Sequence, residues 1–408
     1  MIIPPSIANP GPARSRPDTD RVMRLGSAQT GDRERAAIEA VLSHQVFYRY
    51  HGSEVTEFED AFAADVLAGQ RALAVNSGSS ALQVAFAALD EEPGFEVLVP
   101  VLGFASAATA VAAAGGVPRF VAVDASLGID VVAARAAITD RTRAVLAVHM
   151  MGAACDLAAV GELASAADLH VVEDVAQACG GTFAGRPLGT HGTAAAFSFQ
   201  HFKLLSTGEG GMVSSPNDAV MDRAQCLHDA ASPWVDPDAF ARVPRLRVAP
   251  SNLRMSELEG ALGRTQLARL PEWIDRLRVM KRFLLEHIER VAGLTLRPIP
   301  DPSGDIGTTL VFRAPDPGSA AQIVSGLRTE GVNAGNLLGP VGMNRHFAGD
   351  WGPLLTQCGL SPAPPDLVVE AREELASTVV IALDLRWDER DLSETLTAFE
   401  RVLPIGSA

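Results

Sequence analysis

Lysine is nearly absent from this sequence. Of its 34 basic residues only two are lysines, Lys203 and Lys281, and arginine supplies the rest. Cysteine is also scarce. The four thiols, Cys155, Cys179, Cys226 and Cys358, are far apart, with no C-x-x-C pair and no clustered histidines. That spacing excludes both a zinc site and a disulfide framework, so no metal is expected and a reducing, cytoplasmic setting is. Positive charge is in deficit: the formal net charge is −15 and the pI is near 5.1. An acidic chain of this kind has no phosphate-neutralising surface, which argues against nucleic acid as a partner. Small anionic substrates need only local positive charge and stay open. Long apolar runs are missing too. The most apolar stretch, "GFASAATAVAAAGGV", is short and built of small residues, so it suits a core helix and no membrane span. The opening "MIIPPSIANPGPARSRPDTDR" has too many prolines for a signal-peptide core and reads as a disordered arm over residues 1–25.

What is present raises the question of why lysine persists at two positions. Lys281 lies in "RLRVMKRFLLEHIER", which reads as a basic helical face where arginine would serve equally. Lys203 lies in "FSFQHFKLLSTGEGGM", between apolar neighbours and a glycine-rich turn. A solvated charge is not wanted there. Arginine cannot give up its proton or form an imine, whereas a partly buried lysine amine does both. Lys203 is therefore a candidate for covalent amine chemistry; a structural lysine is the alternative.

At 408 residues the chain exceeds one ordinary domain. Residues 26–275 are expected to form a large α/β domain, because short apolar strands alternate there with amphipathic helices, the pattern of a mostly parallel sheet. "RALAV", "FEVLVP", "PRFVAVD", "TRAVLAVHM", "LHVVEDV", "TAAAFSFQ" and "GGMVSS" read as its strands. One long helix from Met255 to Val291, bent near Pro271, leads out of it. Residues 276–408 are expected to form a smaller α+β domain with strands in "LTLRPIPD", "TTLVFRAP" and "ASTVVIALDL".

Ligands of open α/β sheets bind beyond the carboxyl ends of the strands, and four informative groups fall at such ends. In "NSGSSAL", Gly78 permits a tight turn, and Ser79 and Ser80 offer hydroxyls and N–H groups at a helix start. That is a phosphate cradle helped by the helix dipole, or else ordinary capping. The spacing is neither a P-loop nor G-x-G-x-x-G. In "HVVEDVAQACGG", Glu173 and Asp174 end an apolar strand, where a carboxylate needs a cationic partner. A protonated pyridine nitrogen is such a partner, and an N-cap is the alternative. Gln177 can reach the same ligand's ring oxygen. Ser198 precedes Lys203 by five residues and can bond a phosphate while the amine reaches an aldehyde carbon. Phe104 in "VPVLGFAS" stacks on a flat ring or belongs to the core. A phosphate cradle, a stacking ring, a carboxylate and an amine on one sheet edge together describe a site for pyridoxal 5'-phosphate.

From "GDRERAAIEAVL" onward the chain resembles the DegT/DnrJ/StrS family of sugar aminotransferases, pyridoxal-phosphate enzymes of fold type I. The likeness is carried by "YHGSEVTEFEDAFA", "VNSGSSALQVAF", "AITDRTRAVLAVHMMGAACD", "VVEDVAQACGG", "FSFQHFKLLSTGEGGMV" and "LRMSELEGALGRTQL". The resemblance implies a mostly parallel central sheet with helices on both faces and a smaller carboxyl-terminal α+β domain. It implies that Lys203 forms the Schiff base, that Asp174 pairs with the pyridine nitrogen and that Gln177 contacts the ring oxygen. Ser198, Ser79 and the backbone of Gly78 would hold the phosphate, and Phe104 would stack on the ring. Asn252 in "SNLRM" would reach the phosphate of a neighbouring subunit, which implies a homodimer with shared sites. Three places depart from the family pattern: Pro250 replaces a common glycine, "HDAA" from His228 replaces R-x-H-G, and Cys179 replaces a frequent histidine. A branch with histidine in place of the lysine dehydrates sugars, and Lys203 excludes it.

The expected activity is transfer of an amino group from glutamate or glutamine to a keto-sugar, nucleotide-linked or free, or to a keto-cyclitol. Elimination or aromatisation of an aminocyclohexanoid is the enzymatic alternative. A non-catalytic, cofactor-binding regulator is the alternative of another class.

Overall fold

The computed structural model describes residues 25–289, 291, 293–338 and 345–403. The expected arm, Leu25 excepted, lies outside them. Leu25 itself is buried.

The strands in chain order are β1 (Ala72–Val75), β2 (Glu96–Pro100), β3 (Val117–Val121), β4 (Thr142–Val148), β5 (His170–Asp174), β6 (Thr182–Phe183) and β7 (Arg186–Pro187). There follow β8 (Ala194–Ser198), β9 (Gly211–Ser214), β10 (Thr295–Leu296), β11 (Thr309–Arg313), β12 (Ala334–Asn336) and β13 (Thr378–Ala382). Seven form one sheet in the order β1-β9-β8-β5-β4-β2-β3. Its pairs are parallel except those made by β9, which runs against both β1 and β8. The reason is local. β8 and β9 are joined by the turn segment 199–210 instead of a crossover helix, and only an antiparallel neighbour permits so direct a return. That connection carries Lys203.

Strands covered on both faces need no polar alternation, and β2 ("EVLVP") and β8 ("AAAFS") are buried at every position. The small side chains of β8 admit the helix Gly78–Ala87, which packs directly on β8 and β9. A second, antiparallel sheet has the order β10-β11-β13-β12. Each expected strand is present, but "LTLRPIPD" pairs only at Thr295–Leu296. β12, with the sequence Ala-Gly-Asn, and the hairpin β6–β7 were not expected. They are too short to show a period.

The single long helix is instead two, Glu257–Leu267 and Leu270–Ile288. Pro271 lies in the first turn of the second, where its missing N–H costs nothing. The first is opened by Ser256 and Glu259, each side chain satisfying the other's backbone N–H. Trp273, Leu277 and Leu284 of the second join Phe197 of the large sheet and Leu310, Phe312 and Val379 of the small one in a continuous core. The reading of Lys281 as part of a solvated basic face is wrong. Lys281 is buried and its ammonium is bonded to Asp305, which itself accepts the Gly307 N–H. A charge removed from water is retained only with such a partner.

Candidate active site

Parallel order brings the carboxyl ends of β2, β4, β5 and β8 to one edge. Just past β8 the chain turns on itself. Phe199 N–H donates to Gly210 O at 2.9 Å and His201 N–H to Gly208 O at 2.9 Å. Gly208 (φ 92°) and Gly210 (φ 147°) adopt backbone angles that side chains resist. Within this turn Lys203 N–H donates to Gln200 O at 2.8 Å, and Lys203 O accepts from Gly26 N–H at 3.1 Å. The amine's backbone is thus held on both sides.

Asp174 ends β5 in a buried position. Burial pushes its carboxyl above the usual range; the Ala176 N–H, at 3.0 Å from Oδ1, and the Lys203 charge oppose that shift. Burial also lowers the Lys203 amine, and Asp174 is the group that raises it. Amine and carboxylate therefore sense each other across the sheet edge. Such mutual perturbation in a shared site is the mark of functional titrating groups. Glu173, the adjacent acid, has a different job. Its carboxylate accepts N–H groups of Gly189 (2.8 Å), His191 (2.7 Å) and Gly192 (2.7 Å) and lies 3.2 Å from His149 Nε2. It holds the 189–192 loop. Gln177 Oε1 accepts the Met151 N–H at 3.1 Å, which leaves its amide NH₂ as the group free to donate onward.

The cradle is built by one missing side chain. A Cβ on Gly78 would stand 2.6 Å from Ser198 Cβ and 2.9 Å from Ser198 Oγ. Only glycine lets the start of the helix Gly78–Ala87 lie against the end of β8, which places the Ser198 hydroxyl beside N–H groups that a helix leaves unpaired. Ser77 caps this helix through Ser80 N–H at 3.1 Å, and Ser80 donates its hydroxyl to Asn76 Oδ1 at 2.7 Å. Ser80 is thus engaged in the cap, while Ser79 follows Gly78 in the helix's first turn.

Phe104 is 40% exposed, which overturns the core alternative for it. Its ring meets the imidazole of His346 with centroids 5.5 Å apart. Nothing in the stretch "NRHF" signals His346 in the sequence, because only tertiary structure brings it to this edge. Asn252 is exposed, and its Oδ1 faces Arg254 N–H at 3.4 Å. Asn252 does not cap the helix that follows, since Ser256 holds that position. Asn76 N–H donates to Leu253 O at 2.8 Å, so the Asn252 segment runs beside the cradle. The departure "HDAA" supplies a scaffold: Asp229 is buried and bonded to Tyr50 Oη at 2.8 Å and to Arg254. Cys179 is buried, and burial pushes its thiol up to about 12, so it is no nucleophile.

Phe104, the helix start at Gly78, Asp174 and Lys203 thus lie toward the carboxyl ends of the parallel strands, on the architecture of the fold type I transferases. A solved aminotransferase from Psychrobacter cryohalolentis superposes with a TM-score of 0.79 at 26% identity, over 91% of this chain and 97% of that one. A solved 3-amino-5-hydroxybenzoic acid synthase does so at 0.78 and 28% identity, over 92% and 97%. The chain belongs to the DegT/DnrJ/EryC1/StrS aminotransferase family, whose model matches residues 28–350. Its relatives include GDP-perosamine synthase of Caulobacter vibrioides, 36% identical over 60% of this chain and 65% of that protein. They also include 3-amino-5-hydroxybenzoate synthase of Amycolatopsis mediterranei, 35% identical over 63% and 66%. L-glutamine:scyllo-inosose aminotransferase of Streptomyces griseus is 38% identical over 49% of this chain and 48% of its own. The chain thus spans just under two thirds of the length of the first two. No described helix is long and apolar enough to cross a membrane, and no cluster of metal-ligating side chains occurs among the described residues.

Proposed function

We propose that this chain is a pyridoxal-phosphate-dependent aminotransferase moving an amino group from glutamate or glutamine to a keto-sugar or keto-cyclitol. The observation that carries the reading is the pair Lys203 and Asp174, electrostatically coupled past the ends of the adjacent strands β8 and β5, with the helix start at Gly78 packed against the end of β8. These residues fit the cofactor. The cradle suits a phosphate, and a buried carboxylate whose protonation is favoured in the free chain is relieved by a pyridinium cation. When bound, the cofactor supplies an electron sink. Ser198, Ser79 and the N–H groups from Gly78 hold the phosphate, with Ser80 shaping the cap behind them. Phe104 would stack on the ring. Asp174 would keep the ring nitrogen protonated, and the Gln177 amide would donate to the ring oxygen. The Lys203 amine, lowered by burial, carries a proton to and from the substrate carbon as a general acid and base.

The names of the relatives support both substrate classes, a sugar nucleotide and a cyclitol. We also infer a homodimer in which Asn252 serves the partner's site, and a cytoplasmic setting consistent with four free thiols. The small sheet with its helices is the smaller domain, and the helix Leu270–Ile288 spans the proposed boundary at 275/276. Aromatisation remains the second reading because one relative is a 3-amino-5-hydroxybenzoate synthase; product analysis separates them, since amination conserves the ring's hydroxyl count.

The test is chemical. Borohydride treatment of cofactor-loaded protein is expected to fix the cofactor on the peptide containing Lys203. Lys203→Arg should retain cofactor non-covalently and lose turnover. Labelling at Lys281, or none at all, refutes the assignment. Glutamate should discharge the cofactor's absorption; an unchanged spectrum would support a non-catalytic regulator instead.

A further inference from the structure

The segment between β12 and β13 sends a short strip, Arg345–Ala348, back to the edge of the large sheet. There it is laced to the chain just beyond β2. Gly103 N–H donates to His346 O at 3.0 Å and Ala105 N–H to Arg345 O at 3.1 Å. Ala348 N–H returns a bond to Val101 O at 2.8 Å. Leu102 and Phe347 form an antiparallel bridge in the middle. The strip is anchored from behind as well. Phe347 is fully buried under the Arg372 guanidinium, 4.8 Å from the ring centroid, and Trp351 Nε1–H donates to Arg345 O at 3.1 Å.

This lacing puts one side chain beside the exposed aromatic ring. The His346 imidazole meets Phe104 at 5.5 Å between centroids and 58° between planes. It lies within electrostatic reach of Lys203. Burial first, then the charges of Lys203 and Arg345, push the imidazole down to about 4, against a hydrogen bond with the Gly103 backbone. At neutral pH it is an uncharged, partly buried ring, suited to packing. A half-exposed phenylalanine has no other means of keeping one orientation than the rings and backbone around it, and off-parallel aromatic pairs hold a defined geometry.

We propose that His346 is a positioning residue of the active site, fixing the plane of Phe104 and through it the tilt of the ring that Phe104 covers. The small sheet's connection would thereby act on the cofactor through Phe104. The proposal rests on the cofactor reading above, and its test has an arm that does not.

The first arm uses the cofactor-free protein. The imidazole resonances of His346, identified by their loss in His346→Ala, should shift in Phe104→Ala. The second arm uses protein loaded with pyridoxal phosphate. His346→Ala should change the circular dichroism induced in the cofactor band and weaken cofactor binding about two- to twelvefold, the worth of one aromatic pair. His346→Phe, which keeps a flat ring at the position, should restore both. In the double variant the loss from His346→Ala should largely vanish once Phe104 is gone, since coupled neighbours are not additive. Additive losses, an unchanged induced signal in His346→Ala, or failure of His346→Phe to restore it would each overturn the proposal. If the wild type bound no cofactor, the functional reading would fall, while an unmoved His346 resonance in Phe104→Ala would separately refute the ring contact.

Discussion

Gly78→Ala is the sharpest probe of the cradle, because the structure sets its size. The new methyl carbon would stand 2.6 Å from Ser198 Cβ and 2.9 Å from Ser198 Oγ. Carbon atoms rest about 3.5–4.0 Å apart, so the helix start and the end of β8 must separate by about 1 Å. A hydrogen bond of about 2.9 Å stretched by that amount is no longer one. A phosphate spanning the Ser198 hydroxyl and the helix N–H groups would lose one charge-assisted bond, about 1.5–3 kcal/mol, or about 10- to 150-fold in affinity. The assay is titration of cofactor-free protein with pyridoxal phosphate, followed by absorbance, with thermal unfolding of the free protein as control. Two companions sharpen it. Ser79→Ala removes one hydroxyl, and with it one charge-assisted bond, without adding an atom, and should weaken binding by the same about 10- to 150-fold while leaving the free protein's unfolding unchanged. Ser80→Ala should cost stability but not affinity, because that hydroxyl is spent on Asn76. If Gly78→Ala bound cofactor within twofold of wild type, the phosphate would not sit at this helix.

Asp174→Asn should keep the cofactor but slow turnover severely, since a neutral amide no longer favours a protonated ring nitrogen, and each lost pKa unit is worth about 1.4 kcal/mol; near-normal steady-state rates would refute the pairing. Acid should weaken the cofactor-free fold between about pH 6.5 and 4. His228 and His346 are held neutral by burial, each pushed down to about 4, so the unfolded chain binds protons first and stability falls as pH falls. Urea unfolding of His228→Asn should show a shallower slope across that window, and an unchanged slope would sink the assignment. Lys203→Ala and Asn252→Asp should each be nearly inactive, yet mixed dimers should regain up to about half the wild-type activity per dimer, by two-fold counting. Heterodimers that form without recovering activity would return Asn252 to a surface role.

The parts of the site that the sequence displayed are those written in contiguous stretches. Asp174 ends a run of apolar strand residues, Gly78 opens a helix, and Lys203 stands out because arginine fills nearly every other basic position. Each is visible because its immediate neighbours, or the composition of the chain, single it out. Lys281 shows where that logic stops. Its helical spacing suited a solvated face as well as a buried one, and only the approach of Asp305, from a loop 24 residues away, decided between them. The same holds for the role of each acid in "VED". Both end the strand, but successive residues of a strand face opposite ways. Glu173 therefore meets the 189–192 backbone, whereas Asp174 accepts the Ala176 N–H and is coupled electrostatically to the Lys203 amine.

His346 marks the opposite limit from Lys203. It has no motif, no period and no compositional oddity, and it reaches the site only because the 345–348 strip hydrogen-bonds to residues 240 or more positions earlier. A side chain delivered by such lacing carries no constraint on its immediate sequence neighbours, so a reading of local pattern has nothing to detect. What the sequence does disclose at this edge is the other half of the contact. Phe104 is a large ring four residues beyond the end of a strand that is fully buried, in a chain where aromatics make up only 5%. The folded chain leaves that ring 40% exposed and sets it against the His346 imidazole, so it has surface to offer a flat ligand, and the partner that holds it is one that only the folded chain can name.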